Sequence, residues 1–394
     1  MLPNGWKKVK LGDIATISSG STPLRSNKAY FDNGNMPWVK TMDLTNGKIT
    51  KTDECITELA AKKCKPYPTG TVLVAMYGGF NQIGRTGLLT FPASINQALA
   101  ALQFDKDICS EYVLFYLNAN VDRWRSCAAS SRKDPNITSH DVEKFKIVLP
   151  PLEEQKKIAT TLSVWDSAIE KMEKLIEAKE SLLTEYGKEL FGRTEQKQNE
   201  NWSTIALSEV LNEHGHKSTG EEEVFSVSVH KGLVNQIEHL GRSFAAKNTF
   251  NYNRVHYGDI VYTKSPTGDF PLGIVKQSLI KEDVIVSPLY GVFTPKTFEL
   301  GVILDFYFSS PINANNYLHP VAQKGAKNTI NITNKKFLSA KLRLPIDVKE
   351  QKKIAQFVQT TKKEMAVLQE ILENYKKQKQ GLMQKLLTGQ WRVK

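Results

Sequence analysis

The sequence lacks the features of a secreted, membrane-spanning or disulfide-stabilised protein. Its four cysteines, Cys55, Cys64, Cys109 and Cys127, contain no C-x-x-C pair, so we expect reduced thiols and neither a disulfide framework nor a zinc site. The N-terminal residues form no apolar signal core, and no segment is apolar over the roughly 20 residues that a transmembrane helix needs. These absences predict a cytoplasmic protein without a membrane partner.

Motifs for catalysis are also scarce. The sequence has no Asn/Asp-Pro-Pro-aromatic motif of adenine methyltransferases, no G-x-G-x-x-G and no convincing cluster of nuclease carboxylates. Gly79 to Thr86 has the glycine spacing of a phosphate loop, but Arg85 replaces the lysine and a strand-like run follows, so a β-hairpin turn is favoured. His214 and His216 lack a third ligand at a usual spacing, which favours a solvated loop. We therefore predict no active site, no metal and no cofactor.

What the sequence does contain is an internal repeat. Residues 149–159 read L-P-P-L-E-E-Q-K-K-I-A, and residues 344–355 read L-P-I-D-V-K-E-Q-K-K-I-A. An Asn-Ile-Thr precedes each copy, and Gln155 and Gln351 are separated by the same 196 positions as Trp6 and Trp202. We predict two similar units, each a globular segment that ends in a long helix.

A heptad pattern of apolar residues follows each copy of the motif. It predicts two coiled-coil helices, each with a seam of 33 residues that spans roughly 50 Å. Equal lengths and registers favour an antiparallel pair, in which the Lys379 ammonium would lie against the Trp165 ring. The predicted seam consists of Ile158, Leu162, Trp165, Ile169, Met172, Ile176, Leu183, Tyr186, Leu190, Ile354, Val358, Met365, Leu368, Leu372, Tyr375, Leu382 and Leu386.

Short β-rich runs and a few helices alternate in the rest of the chain. Helices are predicted near residues 110–118 and 300–309, and strands near 37–39, 70–77, 147–149, 224–229, 258–262 and 284–286. We therefore predict an α+β fold of two mixed domains, separated by a long antiparallel two-helix coiled coil with pseudo-twofold internal symmetry. The predicted boundaries are domain 1 at 1–150, helix 1 at 151–192, a linker at 193–201, domain 2 at 202–345, helix 2 at 346–389, and a tail resembling the N-terminal start at 390–394.

The net charge of +12 points to a polyanionic partner, which we expect to be nucleic acid, and a basic but inert surface is the alternative. Basic, amide-bearing loops occur at matching places of the repeat, at 130–136 with 323–329 and at 81–85 with 264–267. Arg and Lys bind phosphates or guanine, and Asn and Gln bind adenine, although simple polar turns are the alternative for any single residue. The candidate DNA-binding residues are Lys40, Thr41, Asn81, Gln82, Arg85, Ser131, Arg132, Lys133, Asn136, Lys264, Ser265, Thr267, Lys324, Lys327, Asn328 and Thr329.

Taken in order, several motifs give the chain a family resemblance. They are the two P-x-x-x-E-Q-K-K-I-A helix starts, with one extra residue in the second, together with residues 37–44, 83–87, 93–98 and 286–290. In these motifs and in its tandem arrangement, the chain resembles the specificity subunit of a type I DNA restriction-modification system.

The resemblance implies a subunit without its own active site, in which two target-recognition domains each read one half of a bipartite, asymmetric DNA site. It implies that the coiled coil sets the gap and docks two adenine-methyltransferase (modification) subunits, which the restriction (translocase and endonuclease) subunits join. The alternatives are a specificity subunit of a fused or non-type-I methylation system, a nucleotide hydrolase that uses Gly79 to Thr86, and a coiled-coil adaptor that reads no sequence.

Overall fold

The fold was analysed in a computed structural model that describes residues 2–79, 81–128, 136–192, 200–237, 249–324 and 330–393. Strands and helices occur in both halves, as predicted for an α+β fold. The chain forms two units, of which the first comprises Met1–Glu173 with Glu370–Lys394 and the second comprises Lys174–Gln369. None of the helices in the described ranges has the length and apolar character that crossing a membrane requires.

The first unit is built around a five-stranded sheet. Its strands lie in the order β2 (Ala15–Ser19), β9 (Leu99–Phe104), β6 (Val72–Ala75), β7 (Thr86–Leu89) and β4 (Gly47–Ile49), and only β4 and β7 are parallel. Alternate side chains of a strand point to opposite faces. Val72 and Val74 therefore join the core beneath the helices, whereas Leu73 and Ala75 join a second core on the other face.

Two smaller sheets and four short helices complete the globular part of this unit. Strand β1 (Lys7–Lys10) pairs with β10 (Lys146–Leu149), and β3 (Met36–Val39) lies between β5 (Cys55–Ile56) and β8 (Ser94–Ile95). The helices are Glu58–Ala61, Ser110–Ala119, Val121–Ala128 and Ser139–Lys144.

The second unit has a four-stranded sheet with the strand order β12 (Leu211–Asn212), β19 (Gly291–Pro295), β16 (Ile260–Tyr262) and β17 (Val275–Gln277). This matches β2-β9-β6-β7 of the first unit, and β11 (Trp202–Ala206) pairs with β22 (Lys341–Pro345) as β1 pairs with β10. Three further strand pairs are β13 (Phe225–Ser228) with β14 (Gly232–Asn235), β15 (Asn253–Val255) with β18 (Val284–Val286), and β20 (Gln323–Lys324) with β21 (Ile330–Asn331). The short helices of this unit are Phe298–Phe308, Pro311–Leu318 and Asn334–Ser339.

The elements predicted from short sequence patterns are largely confirmed. The helices expected near 110–118 and 300–309 are Ser110–Ala119 and Phe298–Phe308. The run 70–77 forms a strand only at Val72–Ala75, because Gly70 and Gly78 on either side adopt positive φ angles of 88° and 114°. Cys55, Cys64 and Cys109 are free thiols.

Two long helices, Leu152–Phe191 and Val348–Leu387, have 40 residues each. In the first unit their segments run antiparallel, with Asp166 paired with Lys379 and Glu173 paired with Lys376 at 2.9 Å. All of the predicted seam residues are buried or half-buried.

The second unit contains the other segments of both helices, which also run antiparallel. Lys179 Nζ lies 2.6 Å from Glu364 Oε2, and the ring centroids of Tyr186 and Phe357 are 4.4 Å apart. Residue numbers therefore rise along one helix as they fall along the other.

The predicted contact between Lys379 and Trp165 is wrong. Lys379 instead forms an ion pair with Asp166 and lies 5.5 Å from the ring centroid of Phe115, while Trp165 packs edge-on against Tyr375. A carboxylate next to the aromatic residue offers the ammonium a full negative charge, which attracts it more strongly than a ring quadrupole does.

The C-terminal tail packs within the first unit around a buried carboxylate. Glu154 Oε2 accepts hydrogen bonds from Trp6 Nε1 at 3.0 Å and from Arg392 Nη2 at 2.8 Å. The turn between the long helix and Arg392 requires glycine, because Gly389 has a φ of 74° and a Cβ there would lie 2.7 Å from the Pro3 ring. The chain end is thus joined to the chain start through one residue of the repeated motif.

The glutamine of that motif is buried at the start of each long helix. Gln155 accepts a hydrogen bond from Cys109 N at 2.9 Å and donates one to Pro150 O at 2.9 Å. Gln351 likewise accepts from Thr297 Oγ1 at 2.8 Å and donates to Pro345 O at 2.9 Å. Each amide therefore joins the long helix to the end of a strand and to the N-terminal cap of a neighbouring helix.

We predict that Gln155→Leu destabilises the protein by about 2 to 4 kcal/mol, because it leaves a buried N–H and a buried C=O without partners. Gln351→Leu should have an effect of similar size, because it removes the partner of the Thr297 hydroxyl and of the Pro345 carbonyl. Urea unfolding followed by circular dichroism measures both. Gln356→Leu is the matched control, since this glutamine is exposed on the same helix as Gln351. The control substitution should change the free energy of unfolding by no more than about 0.5 kcal/mol. Wild-type stability of Gln155→Leu would contradict the assigned role.

Candidate nucleic-acid interface

The Asn-Ile-Thr motif that follows each predicted DNA-contacting loop has a structural role. Ile137 and Ile332 are buried. Thr138 and Thr333 are the N-caps of the next helices, and the Oγ1 atom of each accepts a hydrogen bond of 3.2 Å from the backbone N–H three residues later. The motif therefore holds the chain in place directly after each loop.

The segment between β6 and β7 is a hairpin connection, because the two strands are antiparallel neighbours. Gly84 has a φ of 77°, and a Cβ at this position would lie 2.6 Å from the Trp124 ring, so only glycine fits. A phosphate loop would lead from a strand into a helix. The hairpin interpretation is thus confirmed, and the nucleotide-site alternative loses its structural basis.

Three segments of the first unit that carry candidate residues are in contact. Gln82 Nε2 donates to Met42 Sδ at 3.6 Å, and Ile137 N donates to Met76 O at 3.0 Å. These contacts bring together residues 40–43, residues 77–79 with 81–85, and Asn136, a group that we call the first loop cluster. Met42 and Asn81 are exposed, so the cluster can be reached by a macromolecule.

Lys40 is held by an ion-pair network at the edge of this cluster. Its Nζ lies 3.0 Å from Glu54 Oε2, and Arg25 Nη2 donates to the same oxygen at 3.0 Å. The Arg25 guanidinium also lies 4.7 Å and 4.9 Å from the ring centroids of Phe31 and Trp38. The hydrogen bond from Arg25 is the main reason that the pKa of Glu54 is lowered. The charge of Lys40 is therefore partly compensated.

Arg85 differs from Lys40 in this respect. It is half-buried, and its guanidinium forms no hydrogen bond or ion pair with the part of the chain that the structure describes. Five N–H donors in a planar fork are thus available, and such a fork binds a phosphate or a guanine edge through two hydrogen bonds. Sequence reasoning missed Arg25, since its partner Glu54 is 29 positions away in the chain.

The second unit carries candidate residues on the hairpin between β16 and β17, which occupies the same place in the strand order as the β6–β7 hairpin. Lys264 is half-buried, and burial lowers its pKa while Glu213 opposes that shift. Ser265 and Thr267 are exposed. Thr267 and Phe270 exchange two backbone hydrogen bonds, of 3.1 and 2.9 Å, which close the tip of the hairpin.

Several candidates from the other pair of loops lie outside the described residues. They are Ser131, Arg132, Lys133, Lys327, Asn328 and Thr329. Lys324 is the last residue of β20 and pairs with Ile330 across an antiparallel register.

A cleft of about 1320 Å³ in the second unit is not a strongly basic groove. Asp305 forms an ion pair with Lys362 at 2.7 Å and lies 3.9 Å from Lys276. Three lysines and three carboxylates line the cleft: Lys231, Lys276, Lys362, Glu180, Asp269 and Asp305. Since these charges balance, the cleft does not match a polyanion.

The interpretation of His214 and His216 as a solvated loop requires correction. His256 approaches both residues, and one ring nitrogen of each of the three histidines lies within 4.8 Å of the others. The His214 side chain is also buried and hydrogen-bonded to Asp259. The sequence did not reveal this group because His256 lies 40 positions from His216.

Comparison with known proteins gives consistent matches. Residues 3–180 match the family model described as "Type I restriction modification DNA specificity domain". The type I restriction enzyme MjaIX specificity subunit of Methanocaldococcus jannaschii is 26% identical over 66% of this chain, and the match spans 63% of that relative's length. The MjaVIII specificity subunit of the same organism is 24% identical over 100% of this chain and 94% of its own length.

A solved structure extends the likeness to the fold. The crystal structure of the type I restriction-modification S subunit from M. genitalium matches with a TM-score of 0.64 and 16% identity, over 98% of each chain. The match shows that the two chains share the fold. Together with the family model and the full-length match, it shows that the chain is similar in sequence and in fold to the specificity subunits of type I restriction-modification systems.

Proposed function

We propose that this chain is the non-catalytic subunit that selects the DNA sequence for a type I restriction-modification enzyme. The observation that carries the proposal is the repeated scaffold with unlike loops. Both units share the strand order of the central sheet and a hairpin at the same place in it, but the hairpins contain Asn81, Gln82 and Arg85 in one unit and Lys264, Ser265 and Thr267 in the other. A rigid scaffold with variable loops is suited to recognition.

In this proposal, residues 1–150 and 202–345 act as two target-recognition domains. Each reads one half of a bipartite site in double-stranded DNA, and the two half-sites differ in sequence because the hairpins differ. Arg85 is the strongest candidate for base contact in the first domain, since its donors are available. Lys40 is a weaker candidate, because Glu54 already binds its ammonium group. A net charge of +12 supports binding to the DNA backbone.

The two long helices are proposed to set the gap between the half-sites, as an antiparallel coiled coil with pseudo-twofold symmetry. The exposed lysine pair of the repeated motif, at 156–157 and 352–353, gives the two helix starts the same outward side chains. Two equivalent surfaces suit two copies of one partner. We propose that these partners are adenine-methylating modification subunits, that restriction subunits join the complex, and that it acts in the cytoplasm.

The proposal is tested by mapping methylated adenines across the genome of the source strain and of a strain that lacks this gene. We expect loss of one split motif, with two unlike half-sites around a fixed gap, because methylation needs the specificity subunit. Restoring the gene in trans is the control and should restore the motif. An unchanged map, with the gene shown to be expressed, would contradict the proposal and favour an adaptor that reads no sequence.

A substitution in one hairpin should relax only one half-site. Arg85→Ala, assayed in complex with the modification subunits, should lose about 1–3 kcal/mol of discrimination at one base pair. Methylation of a DNA library with randomised half-sites measures this loss. Thr267→Ala should affect the other half-site, and Lys106→Ala, at an exposed position outside the hairpins, should affect neither. Loss of discrimination at both half-sites after Arg85→Ala would contradict the proposal that each domain reads one half-site.

The length of the helices should determine the gap. Deleting residues 170–176 together with 368–374 removes one heptad from each helix and shortens each by about 10 Å, or about three base pairs. We expect the methylated motif to keep both half-sites with a gap that is about three base pairs shorter. Deleting only 170–176 is the control and should abolish methylation, because it shifts the paired seams. An unchanged gap in a double-deletion variant that still methylates DNA would refute the proposal that helix length sets the gap.

A further inference from the structure

Three histidines from two distant parts of the sequence converge in the second unit. His214 and His216 follow β12, whereas His256 follows β15. The backbone holds these segments together, because Arg254 N donates to His216 O at 2.9 Å and Lys217 forms a bridge with Asn253. The ring nitrogens are therefore brought together by the fold itself.

Two carboxylates orient the rings. His256 Nδ1 lies 2.8 Å from Asp283 Oδ1, so in the neutral ring this nitrogen carries the proton and Nε2 has the lone pair. The backbone N–H of His216 donates to His214 Nδ1 at 3.0 Å, so His214 Nε2 carries the proton and donates to Asp259 Oδ2 at 3.0 Å. The accepting nitrogen of His214 is thus engaged by this backbone N–H, which it would release in order to bind an ion.

Asp259 is itself fixed. Its side chain is 1% exposed, and it also accepts hydrogen bonds from Thr294 Oγ1 at 2.7 Å and from His256 N at 2.8 Å. Histidines that bind a metal commonly donate their other N–H to a carboxylate, which sets the tautomer and strengthens the ligand. His214 and His256 both have such a carboxylate partner, which an accidental surface pair of histidines lacks.

We propose that His214, His216 and His256 form a binding site for one divalent transition-metal ion of the zinc class. His216 Nδ1 and His256 Nε2 share a hydrogen bond of 2.9 Å whose proton the ion would displace, and one nitrogen of each of the three rings lies within 4.8 Å of the others. Zinc bonds to histidine of about 2.0–2.1 Å separate tetrahedral ligands by about 3.3 Å, which lies within this range. Neutral imidazoles suit zinc and its neighbours in the periodic table, and a water molecule would complete four ligands.

The ion would join the segment after β12 to the turn that begins β16. Strand β16 starts at Ile260, directly after Asp259, and leads into the hairpin that carries Lys264. A bound ion would therefore stabilise the base of this hairpin. The site itself is independent of the proposed DNA recognition, so failure of one proposal leaves the other intact.

The test uses the full chain without an affinity tag, stripped with a chelator and then titrated with Zn²⁺ alone. We expect one Zn²⁺ per chain by elemental analysis after dialysis, and a rise in the thermal unfolding midpoint, because the ion binds the folded state. Co²⁺ should give the visible absorption of a tetrahedral site. Zinc binding that is no greater than that of a variant with all three histidines replaced by alanine would overturn the proposal.

Single variants separate the site from general surface binding. His216→Ala should weaken Zn²⁺ binding by more than about 100-fold and abolish the thermal shift, and this exposed residue can be replaced without opening the core. Asp283→Asn removes the carboxylate that orients His256 and that also lies 3.8 Å from Arg254 Nη1, and it should weaken binding by about 10- to 100-fold. His140→Ala is the matched control, since His140 is exposed in the first unit. Equal zinc affinity of His216→Ala and His140→Ala would refute the site.

Discussion

The buried glutamine at the start of each long helix is the interaction on which the architecture depends. An amide group removed from water must satisfy both its donor and its acceptor. Gln155 and Gln351 do so with a strand-end carbonyl on one side and a helix cap on the other. Each contact fixes where a long helix leaves its globular segment, and buried Ile158 and Ile354 secure the same turn by packing. The repeated motif is thus the connection between each globular segment and its long helix.

The buried glutamine contact is common to both units. The hairpins that carry the candidate contacts occupy the same place in both units but differ in their residues. Shared strand order places each hairpin beside the same neighbours, so the loops can differ without a cost to the core. Within the first loop cluster, charge alone does not identify a contact residue. Lys40 is bound to Glu54, while the Arg85 guanidinium is unoccupied among the described residues. We therefore rank the candidate DNA-binding residues by whether their N–H donors are free to bind DNA, and not by the number of donors.

The histidine group, which we propose as a metal site, shows why such a group can escape sequence reasoning. Spacing rules detect ligands that lie within a few positions of each other on one element. His214 and His216 meet that condition, but the third ligand and the orienting Asp283 are placed by strand pairing between β15 and β18. A similar limit explains the error at Lys379, since the heptad register placed it beside Trp165 but could not show that neighbouring Asp166 would attract its charge.

The sequence by itself determined the tandem organisation, the two long helices, the α+β character and the family resemblance. These follow from periodicity and repetition, which act over neighbouring residues or are visible by comparing two parts of one chain. Only the tertiary structure decided which side chains meet. The pairing of Arg25 and Lys40 with Glu54, the bonds of Gln155 to Cys109 and Pro150, and the approach of His256 to His214 all depend on strand order and register. Such contacts join residues that no local pattern relates, because the chain is folded back on itself by packing of the whole core.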